Sequence, residues 1–185
     1  LRLSRGMTYK NSISGLNLGG GKAVIIGDAR TMKSEAMMRR FGKFVNSLGG
    51  KYITAEDVGI SPNDMVYVNM ETNHVVGLPG KSGDPSPVTA YGTYVGIKAA
   101  AKVAYGSDNL EGKIVAVQGI GSVGSSLVGY LVKEGAKVKV ADIYEGSLQK
   151  IKAAHPQVEI VANDSIYDVD MDIYAPCALG ATIND

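Results

Sequence analysis

The residues best placed to do chemistry are the glycines of Gly119-Ile120-Gly121-Ser122-Val123-Gly124, a G-x-G-x-x-G. An apolar run, Ile114 to Gln118, precedes them, and an amphipathic segment with Val123, Leu127, Val128, Leu131 and Val132 on one helical face follows. In that setting Gly119 permits a tight turn, Gly121 admits a pyrophosphate against the backbone, and Gly124 lets helix and strand pack closely. The helix N-terminus adds free N–H groups and a positive dipole end for the phosphates. A second strand-like run, Lys137 to Ala141, ends at Asp142, roughly 20 residues beyond the glycines, where a carboxylate can accept hydrogen bonds from a ribose diol. An acid there, with no arginine close behind, favours NAD over NADP. The glycines alone are weak evidence. Strand, glycine turn, helix, strand and acid together are specific.

The first half of the chain carries more scattered candidates. Gly19-Gly20-Gly21 precede Lys22, but the Walker pattern fails, because Leu16 stands where its first glycine belongs and Ala23 replaces Ser or Thr. Residue types leave two readings of those glycines open: close approach to a ligand, or a turn of the chain. A short strand, Tyr52 to Thr54, delivers Ala55, Glu56 and Asp57 at its C-terminal end. Acids at strand ends in α/β folds often face a cleft, and they also serve as caps and loop carboxylates. His74 has no second ligand at fixed spacing and reads as structural. Cys177, the one cysteine, has no evident His or Lys partner and reads as packing.

The elements that must position these residues are legible in outline. Ala23 to Ile26 reads as a buried strand. Ser34 to Leu48 reads as a helix whose Met37, Phe41, Phe44, Val45 and Leu48 are core, ended by Gly49-Gly50. Ser61-Pro62 looks like a cap followed by proline at the first helical position, with the helix running to about Asn69. Ser86-Pro87 repeats that signal and opens an alanine-rich helix to about Tyr105, the connector between two domains. Beyond Asp142, Ser147 to Ala154 reads as a helix, and Val158 to Ala162 and Met171 to Ala175 as strands. Residues 1–21 read only as glycine-rich and polar in patches.

Composition narrows the function classes. Apolar residues make up 45% of the 185, enough for a real core. The net charge of +1 and the lack of a basic run argue against nucleic acid or a membrane surface as main partner. One cysteine forbids an internal disulfide and fits a reducing cytoplasm. No signal peptide or membrane-spanning apolar run is visible. The chain begins without Met and stops soon after a strand-like run, so the expectation is an internal fragment of a longer protein, inactive or poorly folded alone.

Six stretches in order, Met7 to Asn11, Gly15 to Lys22 (GLNLGGGK), Tyr52 to Gly59 (YITAEDVG), Pro85 to Gly92 (PSPVTAYG), Val117 to Gly124 (VQGIGSVG) and Asp172 to Asp185 (DIYAPCALGATIND), resemble the Glu/Leu/Phe/Val family of amino-acid dehydrogenases, most of all its leucine branch. The resemblance extends over essentially the whole chain. It implies a two-domain α/β fold. Residues 1–85 would be the C-terminal part of a catalytic, dimerising domain, 86–112 a connecting helix and hinge, and 113–185 the N-terminal part of a Rossmann NAD-binding domain. It implies Lys22 as the catalytic lysine, Asp57 assisting its proton transfer, and Lys10 holding the substrate carboxylate. Met7, Ala55 and Val76 would contact the substrate. Ser86 and Thr89 would sit near the nicotinamide. Gly119, Ile120, Gly121, Ser122, Val123, Gly124 and Ser125 would wrap the pyrophosphate, Asp142 and Ile143 would hold the adenosine ribose, and Cys177 and Ala178 would approach the cofactor.

The implied reaction is reversible, NAD-dependent oxidative deamination of branched-chain L-amino acids in a cytoplasmic homo-oligomer, with no metal. A free lysine holds its proton too tightly to be a base at neutral pH, and a second cation and a closed cleft would both loosen that hold. Ala55 and Val76 are small and apolar, which suits a branched aliphatic side chain over a carboxylate. The loop from Gly77 to Pro85 is shorter than in many relatives, which leaves leucine open against valine or phenylalanine. Gly124 stands where many relatives carry alanine, a change expected to be harmless for packing. Two rivals remain: a phenylalanine, valine or glutamate enzyme, and a module that senses NAD without chemistry.

Overall fold

A computed structural model describes residues 1–183. The chain forms two units, Leu1–Pro85 and Ser86–Asp185. The last two residues of the DIYAPCALGATIND stretch lie outside the described residues.

The first unit is built on three helices, α1 (Arg2–Ile13), α2 (Glu35–Ser47) and α3 (Pro62–Asn69). The sequence marks the starts of α2 and α3 clearly. Ser34 caps α2 by accepting from the Met37 N–H, and Ser61 with Asp64 forms a reciprocal capping box on α3, with Pro62 in its first turn. Met38, Met65, Val68 and Val75 form the core between them, with Met37, Phe41 and Ile60 packed alongside. The two helices approach closely at Gly42, where a Cβ would lie 2.7 Å from the Val68 carbonyl oxygen.

Four expectations need correction here. Phe44 and Leu48, expected in the core, are 57% and 47% exposed, because the buried face of α2 runs through Met38, Gly42 and Val45. Residues 1–21 contain a full helix, α1, that the sequence did not announce. It buries no residue, so it lacks the apolar stripe by which a helix is normally read. Ala23 to Ile26 is neither a strand nor buried: Val24 is 69% and Ile26 94% exposed. A strand needs a neighbour to pair its N–H and C=O groups, and among the described residues no ladder partner runs beside it. Tyr52 to Thr54 likewise contributes only an isolated bridge, Thr54 to Val75.

The second unit opens with α4 (Ser86–Tyr105) and continues as β1 (Ile114–Gln118), α5 (Ser122–Lys133), β2 (Lys137–Ala141), α6 (Glu145–Ala154), β3 (Glu159–Ile160), a 3-10 turn at Asn163–Ser165, and β4 (Ile173–Pro176). All four strands are parallel, in the order β3-β2-β1-β4. Val115, Ala116 and Val117 are fully buried, the continuous apolar run expected of a strand covered on both faces. Leu127, Val128 and Leu131 of α5 are equally buried, and each contributes ~1.5–3 kcal/mol. The segment 86–112 lies in this unit, with α4 packed along α5. Lys98 and Tyr94 both donate to the Glu134 carboxylate, and the Tyr94 and Tyr130 rings stack 5.5 Å apart.

Strand β1 runs between β2, reached through α5, and β4, reached after β3 on the far side. The connection therefore reverses direction at the carboxyl ends of β1 and β4. In an open α/β sheet that switch point is where a ligand crevice forms. This is the α/β architecture of a dinucleotide-binding half-sheet.

Candidate active site

In the first unit the glycine run, α1 and the 52–60 segment surround a cavity of about 620 Å³. Lys22, Asp57, Met7 and Ala55 line it, with Leu3 and Ile53 among the apolar walls. Lys22 donates to the Asp57 Oδ2, and the two side chains are 26% and 48% exposed. The other Asp57 oxygen, Oδ1, accepts the Val58 N–H at 2.8 Å. One carboxylate oxygen is thus fixed by backbone and the other meets the lysine. Lys10 and Val76 are exposed and do not line this cavity. Val76 instead donates its N–H to the Thr54 carbonyl at 2.9 Å.

The glycine run has a third explanation that neither open reading of it included. A Cβ at Gly20 would lie 1.9 Å from the Ser4 carbonyl oxygen and 2.5 Å from the Thr8 nitrogen, so Gly20 lets extended backbone lie directly on α1. Asn11 fastens the same contact by donating to the Gly19 carbonyl at 2.8 Å. A Cβ at Gly21 would strike the Tyr52 ring at 2.5 Å. Lys22 leaves this clamped segment and points its ammonium at Asp57. His74 packs its ring over Gly50, in keeping with its structural reading.

Glu56 gave no separate signal beside Asp57. Its Oε2 is buried and has no hydrogen-bond partner. Burial pushes its carboxyl above the usual range, and the negative charges of Asp84 and Asp64 push the same way. The folded state therefore holds this proton more tightly than the unfolded chain. The stability it supplies is present below about pH 4.5 and is lost as pH rises through the raised value. Glu56→Gln keeps the shape of the protonated acid without the charge. At neutral pH it should raise the thermal midpoint by ~2–4 °C, discounted for partial exposure, and the gain should vanish in acid. Calorimetric scans of both proteins at the two pH values check this.

In the second unit the glycine turn sits at the switch point. Gly119 has φ +90, and a Cβ on it would lie 2.5 Å from the Ala178 nitrogen and 2.7 Å from the Cys177 carbonyl carbon. The turn and the end of β4 are thus in backbone contact, with the Cys177 N–H donating to the Gln118 carbonyl at 2.7 Å. Gly124 packs α5 closely on the turn: a Cβ there would fall 1.9 Å from the Gly119 carbonyl oxygen, so this backbone accepts glycine and would have to shift for alanine. Cys177 packs against the same turn, and burial pushes its thiol up, which keeps it protonated and unsuited to nucleophilic attack.

Asp142 does more than wait for a ribose. Its Oδ2 accepts the Ile120 N–H at 2.6 Å and its Oδ1 the Tyr144 N–H at 2.8 Å. It ties the glycine turn to the end of β2, and each oxygen keeps a lone pair to spare. Ile120 is 2% exposed, so its side chain is core while its backbone shapes the turn. Val123 also packs inward, and the Ser125 hydroxyl donates to the Ile120 carbonyl at 3.1 Å. Ser122, Ile143 and Ala178 are exposed around the turn. Ser86 and Thr89 stand in the first turn of α4.

An NAD-type dinucleotide fits this arrangement. Gly121 is the N-cap of α5, and no side chain caps the first turn. A Cβ on Gly121 would meet nothing within 4 Å, so internal packing does not account for the glycine. An approaching pyrophosphate does, because it would occupy the space above the free N–H groups. Among the described residues no cluster of His, Cys, Asp or Glu could hold a metal, and no helix is long and apolar enough to cross a membrane.

Comparison with known proteins agrees with this geometry. Residues 1–74 match the family model described as Glu/Leu/Phe/Val dehydrogenase, dimerisation domain. The whole chain is 56% identical to leucine dehydrogenase of Bacillus subtilis and 57% identical to that of Thermoactinomyces intermedius, covering 51% of each. The crystal structure of L-tryptophan dehydrogenase from Nostoc punctiforme superposes with a TM-score of 0.69 at 40% identity, over all of this chain and 51% of that one. The chain spans about half the length of these relatives. The first 74 residues thus match the dimerisation domain of the Glu/Leu/Phe/Val dehydrogenases, and the whole chain is similar to leucine dehydrogenases over about half of their length.

Proposed function

We propose that the protein carrying this chain catalyses the reversible, NAD-dependent oxidative deamination of L-leucine and other branched-chain L-amino acids to 2-oxo acids and ammonia. The observation that carries the reading is the Lys22–Asp57 pair on the wall of a mostly apolar cavity. A bound nicotinamide would supply the hydride acceptor for the substrate α-carbon. The chain's own residues do the rest. Lys10, assigned by the family resemblance and lying off the cavity wall, would hold the substrate carboxylate from the rim. Acting as general base, Lys22 takes a proton from water as that water adds to the imine carbon. Asp57 and Lys22 then return a proton to the departing amine. Met7 and Ala55, on the cavity wall, contact the aliphatic side chain, and Val76, off that wall, is a substrate contact by the family resemblance alone. Residues 1–85 supply this chemistry, and 113–185 hold the cofactor, with 86–112 joining the two.

The second unit supports NAD over NADP. A 2′-phosphate beside Asp142 would meet its negative charge, whereas a ribose diol would find its spare lone pairs. Cys177 and Ala178 brace the turn that carries the pyrophosphate. The name of the matching family model, a dimerisation domain, supports a homo-oligomer, and the single cysteine fits a cytoplasmic setting.

The test is NADH formation by the full-length protein with L-leucine, L-valine, L-isoleucine, L-phenylalanine and L-glutamate, each with NAD and NADP. Highest kcat/KM for leucine with NAD is the expected result. Preference for phenylalanine or glutamate would keep the mechanism and overturn the pocket reading. NADH binding without turnover of any of them would favour a sensing module.

A further inference from the structure

Lys33 stands outside the family stretches and outside the reaction as proposed, yet the turn that carries Asp57 is held by it. Asp57 to Ile60 is a four-residue turn closed by the Ile60 N–H donating to the Asp57 carbonyl at 2.9 Å, with Gly59 at φ +77. The next residue, Ser61, is the N-cap of α3. Lys33 reaches this segment from the loop before α2. Its ammonium donates to the Gly59 carbonyl at 3.0 Å and to the Asp64 Oδ2 at 2.6 Å. Asp64 is 8% exposed and accepts from both the Ser61 N–H and the Ser61 hydroxyl at 2.7 Å. Burial alone would raise its carboxyl, but the bonds from Lys33 and Ser61 outweigh that and hold it below the usual range.

One cation thus grips the Asp57–Ile60 turn at its third residue and the capping box just beyond it. The Asp57 carboxylate has little freedom of its own, because the Val58 N–H fixes Oδ1 and leaves Oδ2 facing Lys22. The position of that oxygen is therefore set by the position of the turn. We propose that Lys33 is a positioning residue for Asp57, acting through the Gly59 carbonyl and Asp64 to hold the carboxylate against Lys22. The role rests on the reading of Asp57 as a proton-transfer group.

A double-mutant cycle in the full-length protein tests it. Lys33→Met should lower kcat ~10- to 100-fold, the scale of a misplaced catalytic group, with KM for NAD unchanged. In an Asp57→Asn background the same substitution should cost no more than about twofold, because there is no carboxylate left to position. If Lys33→Met does not fold, Lys33→Ala, which likewise removes the donor to the Gly59 carbonyl and Asp64, carries the same cycle. An unchanged kcat, or the same loss with and without the Asp57 carboxylate, would overturn the role of Lys33. Asp57→Asn at parent turnover would overturn the reading of Asp57 and this role together. The single and double variants therefore separate the two failures.

Discussion

Lys22→Ala is expected to cut kcat of the full-length protein by ~10³-fold or more while NADH still binds. Positioned acid–base groups typically contribute ~10²–10⁴-fold, and no other lysine lines the cavity beside Asp57 except Lys33, whose ammonium is already committed to Gly59 and Asp64. The fold should survive the change. The Lys22–Asp57 pair is partly exposed on both sides, and ion pairs of that kind are worth only ~0–1 kcal/mol. Cofactor binding is built in the other unit, around Gly119 and Asp142, so it has no reason to fall. Stopped-flow or steady-state turnover, read beside NADH fluorescence titration, checks both halves. Full turnover would remove Lys22 from the mechanism. Loss of NADH binding along with turnover would show that the residue supports the fold instead.

How much of this was readable without coordinates differs between the two units, for a physical reason. β1 and β2 were legible to the residue, β1 as the continuous apolar run of a strand buried on both faces and β2 by the alternation of Lys137 and Lys139 with buried Val138 and Val140. The glycine turn between them combines a positive φ with two contacts too close for any side chain. The start of α3 was legible from its cap and α2 from its apolar spacing. The first unit also misled. Ala23 to Ile26 has the composition of a buried strand, but burial and pairing depend on neighbours that a local pattern cannot report. α1 was invisible because it buries nothing, and its contribution, a backbone bed for Gly20, involves no apolar periodicity.

At the site, Lys22 and Asp57 came from family resemblance and the structure brings them into contact, whereas Lys10 and Val76 lie off the cavity they line in that reading. Lys33 gave no sequence signal, and Glu56 stood out only as one of the two acids that follow Thr54. Their significance lies in an orphaned oxygen and in a bond to a main-chain carbonyl, neither of which has a residue-type signature.

The glycines of the nucleotide turn should separate by assay, although all three belong to one motif. Gly119→Ala is expected to unfold or strongly destabilise the second unit. The left-handed φ alone costs ~1–2 kcal/mol for a residue with a Cβ, and the overlap with the Ala178 and Cys177 backbone adds an overpacking cost of ~1–3 kcal/mol. Gly124→Val should behave in the same way, because its Cβ would collide with the Gly119 carbonyl. Gly121→Val should not. Its φ of −76 suits any residue and its Cβ would point into open space, so the thermal midpoint should move by no more than about 2 °C. What the valine would fill is the approach to the α5 N–H groups, and NADH affinity should fall at least ~10-fold, as removal of a phosphate's charge-assisted hydrogen bonds implies. Isothermal titration with NADH, paired with thermal scans of each variant, reads both quantities. A Gly121→Val protein that binds NADH as tightly as the parent would place the pyrophosphate elsewhere. One that fails to fold would show that the glycine serves packing after all.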